Sequence, residues 1–483
     1  MTIARPPVSV KAVLARLVAV AAVCAACAAS ATASRTAVAS HGLATGVVDP
    51  FVFPSRDAAI GFARTHAAGA TFVRLALDWS RAVGNSKRRP KSLHATDPED
   101  PHYDWAGWDR QLKLAGENHL EPILLVGGYP QWALKRYGKD VYRPDPVAYG
   151  EFMTAVARRY SGDFDGQPRV RYWQIWNEPN HVGRKNLKDG AADWYRDLVN
   201  HAAAAVHGVH DDNLVIAGNQ SPFTRSTAVG PLFFMRQLLC LRDGATKPLT
   251  CHKPIHFDIW AHHPYTAGGP THQAGDKDSV SIGDLPEMKR LLDAAVRKGE
   301  VVSSHRSIPF WATEFSWDTN PPDPKGVPIK LQVRWVAEAL HNMWKAGVSL
   351  VVWWRIRDDR VGKSFYQSGL YASGSTIRTD HPKLTFFAFR FPFVAYPVGA
   401  NEVSVWGRTP WSRSGRVVVE QQIGEDWKEV GKFDANLYGI FSGNVRRHGD
   451  GPLRARLDKG TAFAFPFALQ TSEPDRTYLP FGS

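Results

Sequence analysis

The chain has 483 residues, 44% of them hydrophobic and 22% charged, a composition that can bury a large core and excludes a disordered chain. Its formal net charge of +13 is spread along the sequence without a long basic run, which points to solvation and away from nucleic acid as a partner. The length suggests two or three segments.

The N-terminus reads as a targeting segment. Arg5, Lys11 and Arg16 precede an apolar run from Leu17 to Ala29, and Ala31-Thr32-Ala33 forms a small-residue cleavage site. Residues 1–33 are therefore expected to be a secretory signal and the mature chain to be secreted. The apolar run is too short to anchor in a bilayer, and no other stretch resembles a membrane span. Cys24 and Cys27 lie in this run without the residues a lipoprotein signal needs upstream. Removing residues 1–33 takes away only positive charge and leaves about +10. Cys240 and Cys251 then remain, ten residues apart, and read as one local disulfide of a secreted protein. His252 stands alone beside Cys251, and no HxH or HExxH spacing occurs, so neither metal nor cofactor is expected.

From residue 43 short apolar runs alternate with longer amphipathic ones. The apolar runs near 44–50, 71–77, 121–127, 170–176, 213–218, 256–262, 308–313 and 348–355 predict eight strands, hydrophobic on both faces as helix-covered parallel strands are. Helices are predicted over 57–68, 147–160, 285–298 and 331–346. The third of these has Pro286 at its second position, Met288, Leu291, Leu292 and Val296 on one side, and Gly299 at its end. Eight such units predict an α/β fold, a (β/α)8 TIM barrel over 34–391 with long loops 84–104, 266–283 and 318–327 on one face. A doubly wound open sheet is the alternative, weakened by the absence of a glycine fingerprint after the first strand. Near residue 392 the period changes to two. The runs 415–422, 427–433, 439–445 and 462–468 predict a small antiparallel β-sandwich over 392–483.

The chemistry concentrates at two strand ends. Trp173-Gln174-Ile175-Trp176-Asn177-Glu178-Pro179-Asn180 carries a carboxylate at the end of strand four, and Phe310-Trp311-Ala312-Thr313-Glu314-Phe315 carries another at the end of strand seven. The C-terminal ends of barrel strands are where reacting groups sit, and strands four and seven face each other across the mouth. Two opposed carboxylates, one protonated and one ionised, are what cleavage of a glycosidic bond requires. A carboxylate that merely caps the next turn is the alternative for Glu178.

These residues resemble the clan A glycoside hydrolases, the 4/7 superfamily, over about residues 43–392. The resemblance implies a retaining mechanism on an oligo- or polysaccharide, with Glu178 as acid/base and Glu314 as nucleophile. It also implies that Arg74, in Phe72-Val73-Arg74-Leu75, supports the nucleophile and that Asn177 binds a sugar hydroxyl. His263-Pro264-Tyr265 is similar to the sixth-strand motif whose phenol bonds the nucleophile. Trp354, of Trp353-Trp354, is similar to the tryptophan that floors the reactive subsite. After strand three, Gly127-Gly128-Tyr129-Pro130-Gln131-Trp132-Ala133 lacks the histidine pair of family 5 and is more similar to family 39, which places Trp132 among the substrate contacts. Arg74 beside Glu314 would favour its ionised form, and a less polar setting would raise the pKa of Glu178. A buried salt bridge for Arg74, core packing for His262 and His263, a rim ion network for Arg355, Arg357 and Asp358, and a turn role for Asn219 are the plainer readings. So is packing, in place of sugar stacking, for Trp406, Trp411 and Trp427. A non-catalytic carbohydrate-binding protein and a transglycosidase are the competing functions.

Overall fold

The computed structural model describes residues 41–181, 190–241, 253–305, 307–360, 366–469 and 478; the expected signal and Cys251 lie outside them. Eight strands form the centre: β1 (Ala44–Val48), β2 (Phe72–Asp78), β3 (Glu121–Gly127), β4 (Tyr172–Ile175), β5 (Leu214–Gln220), β6 (Ile259–His262), β7 (Phe310–Phe315) and β8 (Val348–Trp354). Each pairs in parallel with its neighbours in sequence, and β8 returns to β1. That closure excludes the open doubly wound sheet. The helices that follow the strands in turn are α1 (Ala58–Ala67), α2 (Ala106–Glu117), α3 (Pro146–Arg159), α4 (Ala191–His207), α5 (Pro231–Leu238), α6 (Leu285–Arg297), α7 (Ile329–Lys345) and α8 (Leu384–Arg390).

Local chemistry sets the helix ends. Pro146 opens α3 where its missing N–H costs nothing, and Asp145 Oδ1 accepts the Val147 N–H at 3.1 Å. In α6, Leu285, Met288, Leu292 and Ala295 are buried at three- and four-residue steps. Inside the barrel Val48, Ile123, Ile216, Trp311, Leu350 and Val352 fill the lumen, each burial contributing about 1.5–3 kcal/mol. The three expected long loops lie at the C-terminal ends of β2, β6 and β7. One further excursion after β3, the hairpin Leu134–Gly138 with Val141–Pro144, has no counterpart among the expected long loops.

Beyond α8 the chain forms two antiparallel three-stranded sheets. β9 (Phe393–Pro397), β10 (Glu402–Arg408) and β13 (Ile440–Arg446) make one; β11 (Gly415–Ile423), β12 (Asp426–Ala435) and β14 (Leu453–Leu457) make the other. They pack through Phe433 against Phe441, ring centres 6.3 Å apart, and a side chain at Gly443 would collide with Phe433. The expected strand over 462–468 is reduced to isolated bridges at Phe463 and Phe467, because its Ala-Phe-Pro-Phe sequence interrupts the ladder at a residue with no N–H. No helix among the described residues is long and apolar enough to cross a membrane.

The sandwich seats firmly on the barrel. Trp406 stacks on His341 and Trp344 of α7 at 4.9 and 5.4 Å, and the Arg334 guanidinium lies 4.0 Å over Phe467. Trp411 Nε1 donates to His66 O at 2.9 Å, and Arg408 Nη2 donates to Gly69 O at 3.1 Å. Burial without a carboxylate partner pushes the Arg408 guanidinium down to about 9. Trp427 carries Arg454 over its ring at 4.1 Å. Packing at the junction with the barrel accounts for Trp406 and Trp411. Trp406→Ala is expected to cost about 3–5 kcal/mol of stability, read as a lower guanidinium chloride midpoint; an unchanged midpoint would show that the junction contributes nothing.

Candidate active site

The end of β4 is strained in a specific way. Trp176 and Glu178 have φ of +63° and +47°, in the left-handed region that side chains avoid, and so do Asn219 (+51°) after β5 and Arg355 (+83°) after β8. The strain is held by bonds between loops. Glu178 N donates to Asn219 O at 3.0 Å, while Asn219 Nδ2 reaches Ile175 O at 3.3 Å, the turn role foreseen for it. Gly218 (φ +91°) permits this, since a side chain there would strike the carbonyl of Ala261 on β6. Asn180 then ties the β4 loop to the β5 loop: its Nδ2 donates to Val229 O at 2.8 Å and its Oδ1 accepts from Ser221 N at 2.9 Å.

Glu314 reaches the lumen through an irregularity. Trp311 points into the barrel, whereas Phe315 packs outside it on Trp353, ring centres 5.6 Å apart. Strict alternation would put residues 311 and 315 on one face. The register of β7 against β8 shifts between Ala312 and Phe315, and this bulge turns Glu314 inward. There Arg74 Nη1 donates to Glu314 Oε2 at 2.9 Å and Tyr265 OH donates to Oε1 at 2.9 Å. The same guanidinium donates from Nη2 to Asn177 Oδ1 at 2.7 Å and from Nε to Gln174 Oε1 at 2.8 Å. One buried cation thus fixes the nucleophile candidate and the residue beside Glu178. Burial and the Glu314 charge hold the Tyr265 phenol well above its usual range, so it remains a donor at any physiological pH.

Glu178 sits between two histidines. His263 Nδ1 lies 3.0 Å from Oε1 and His181 Nε2 lies 3.0 Å from Oε2. Burial alone would raise this carboxyl, but the hydrogen bonds from His181 and His263 outweigh it and hold the group well below the usual carboxylate range. The expected upward shift is overturned, because the setting is polar. His262 points elsewhere: its Nε2 meets Val280 O at 3.0 Å and burial pushes its pKa down to about 3.

Donor atoms, one each from Glu178, His263 and Glu314, lie within 4.8 Å of one another. Three donors at that spacing are a metal-like set, but both oxygens of Glu314 are engaged and the Arg74 charge opposes a second cation. A cavity of about 220 Å³ opens over the glutamates, lined also by Tyr265, Trp354, Tyr366, His181 and Arg225. Trp354 lines it, while Trp353 is buried against Phe389 at 5.9 Å, outside the barrel. Trp132 does not line this cavity. It packs edge-on against Trp79, ring centres 5.5 Å apart, with the Arg89 guanidinium 5.3 Å over its ring. Arg355, Arg357 and Lys383 form the ion network on Asp49, Asp380 and Asp358. His181, Arg225 and Tyr366 were not singled out in the sequence. Only the i, i+3 spacing of Glu178 and His181 in an Asn-Glu-Pro-Asn-His run could have signalled the first.

Fold and site together define a closed (β/α)8 barrel with paired glutamates over its C-terminal mouth and a β-sandwich at its side. No protein-family model matches the chain, and no curated protein does. Among solved structures, the chain is similar to a GH39 enzyme from Xanthomonas axonopodis pv. citri at 15% identity, over 84% of this chain and 92% of that one, with a TM-score of 0.48. It is also similar to a GH39 β-xylosidase from Caulobacter crescentus (15%, 80% and 84%, TM-score 0.47) and to a GH5_18 protein from Bifidobacterium longum in complex with Manβ1-4GlcNAc (14%, 72% and 77%, TM-score 0.45). Both families that the sequence resembles are represented in these matches. At such scores the likeness carries no argument, and the barrel assignment rests on the strand pairing itself.

Proposed function

We propose that the protein is a retaining glycoside hydrolase that cleaves an oligo- or polysaccharide through a covalent glycosyl-enzyme, with Glu314 as nucleophile and Glu178 as acid/base. The observation that carries this reading is the carboxylate gap, within 4.8 Å between nearest oxygens. Carboxyl groups about 5–5.5 Å apart bracket C1 directly, whereas inversion needs about 6.5–9.5 Å to admit water. The cavity volume is below the roughly 300–1,000 Å³ that takes a drug-sized ligand, which fits one sugar ring with Trp354 as its floor. Asn177, its Oδ1 held by Arg74, offers its Nδ2 to a ring hydroxyl.

A panel of aryl glycosides with the mature chain, followed by proton NMR of the first anomer released, tests the reading. The retained anomer is expected. The inverted anomer would refute the mechanism, and carbohydrate binding without turnover would favour the non-catalytic alternative; products longer than the donor would mark a transglycosidase. Tyr265→Phe should lower kcat/KM about ten- to hundredfold, the worth of roughly 1.5–3 kcal/mol for a hydrogen bond to a charged group. Unchanged kinetics would remove the phenol from the site. The proposal includes secretion after cleavage near residue 33, a barrel over 34–391 with a sandwich over 392–483, and a Cys240–Cys251 disulfide. Peptide mass mapping with and without reductant reads the cleavage site and the disulfide together.

A further inference from the structure

The two histidines on Glu178 are not equivalent. The His263 side chain is fully buried, its backbone N–H is fixed on Gln220 O at 3.0 Å, and its Nε2 is buried with no partner among the described residues. A proton on that Nε2 would be a buried donor without an acceptor among the described residues, so the ring hydrogen sits on Nδ1 and is donated to Glu178 Oε1. Its part is to fix the carboxyl plane. His181 is different. Its Nε2 reaches Oε2 at 3.0 Å while its side chain is 42% exposed, and it lines the same cavity. It is the histidine on Glu178 that touches both the carboxylate and bulk water.

A general acid must hold a proton when substrate binds, and two donors on its oxygens favour the bare carboxylate. Resting on the glycosidase reading above, we propose that His181 is the proton carrier for Glu178, the two sharing one proton between Nε2 and Oε2. When the bond from C1 to the leaving oxygen breaks and Glu314 bonds to C1, Glu178 gives its proton to the leaving oxygen. The pair is left as imidazole and carboxylate. In the second half-reaction the carboxylate takes a proton from the attacking water as the bond between C1 and Glu314 breaks, and the shared proton is restored. Protons in and out balance over the cycle.

The charges facing this pair are few. Glu314, with Arg74 and Tyr265 on its oxygens, and His263 face Glu178 from β7, β2 and the β6 end, with His262 behind. Arg225, from the β5 loop, lines the same cavity as His181. The Glu178 carboxylate at 3.0 Å favours a positive charge on His181.

His181 acts through Glu178 and is a positioning residue, so the test needs readouts that packing would not move. In His181→Gln, kcat/KM for a phenyl glycoside should fall about ten- to hundredfold and that for the 2,4-dinitrophenyl analogue less than about threefold. The alkaline limb of the kcat/KM profile should move toward acid by about one pH unit or more, since the proton then sits on the carboxyl alone. Free imidazole should restore part of the loss in His181→Ala. An unmoved limb, with equal losses on both substrates and no rescue, overturns the proposal. If the unaltered chain hydrolyses no aryl glycoside, the glycosidase reading fails separately. The shared proton is then read by NMR titration of ¹³C-labelled histidine: Glu178→Gln should lower the His181 midpoint, and an unchanged midpoint overturns the pairing.

Discussion

Glu314→Ala is expected to lower kcat/KM on the order of 10⁴-fold, with turnover partly restored by azide as a glycosyl azide of inverted configuration at C1. The size follows from the step removed. Without the carboxylate no covalent intermediate forms, and the positive charge that grows at C1 loses its facing anion in a site where Arg74 already supplies a cation. The vacated space is the right place for a small anion, because Arg74 Nη1 and Tyr265 OH remain as two donors aimed at it. Stability and chemistry have to be separated here. Arg74 is 2% exposed, and leaving its charge unpaired costs about 3–5 kcal/mol. Glu314→Gln keeps one acceptor for the Arg74 guanidinium and turns its amide N–H toward the Tyr265 oxygen, which can accept, so it should fold closer to the unaltered chain than the alanine variant and still lack the nucleophile. Full turnover in either folded variant would remove Glu314 from that role. Proton NMR of the azide product decides whether the rescued attack comes from the face Glu314 occupies.

The barrel was legible because its signal is simple. Eight apolar runs with helical periods between them admit few architectures, and β1 to β8 fall close to the expected positions. The glutamates at the ends of β4 and β7 were legible for the same reason, as charges closing otherwise apolar runs. What periodicity cannot carry is a change of face. Glu314 faces the lumen only because β7 slips register after Ala312, and Glu178 is aimed by left-handed φ values at Trp176 and at Glu178 itself. Loop residues are harder still. Trp132 sits in a motif suggestive of sugar contact, and its edge-on contact with Trp79 just ahead of the hairpin 134–144 has no local signal. The polarity around Glu178 was misjudged because it comes from His181, three residues on through a turn, and His263, from another strand end. The i, i+3 spacing hints at the first, and no local pattern encodes the second. The network from Arg74 to Gln174, Asn177 and Glu314 joins three strands with one guanidinium, and the sequence shows only its separate members.

Glu178→Ala should separate substrates by their leaving groups. For a phenyl glycoside, whose departing oxygen needs a proton, kcat/KM is expected to fall about 10²–10⁴-fold; for a 2,4-dinitrophenyl glycoside, which leaves as a stable anion, less than about tenfold. The contrast matters more than either number, because damage to binding would lower both alike. The backbone supplies an internal control. At φ +47° an alanine keeps the left-handed strain while losing the bonds to His181 and His263 that help hold it, whereas glycine adopts that angle freely. Glu178→Gly should therefore be more stable than Glu178→Ala by about 1 kcal/mol, with the same leaving-group contrast. Thermal unfolding and a Brønsted series on both variants measure the two effects independently. Equal losses for good and poor leaving groups in both would contradict the acid role. Equal stabilities would show instead that the left-handed angle at residue 178 is not retained once its side chain is gone.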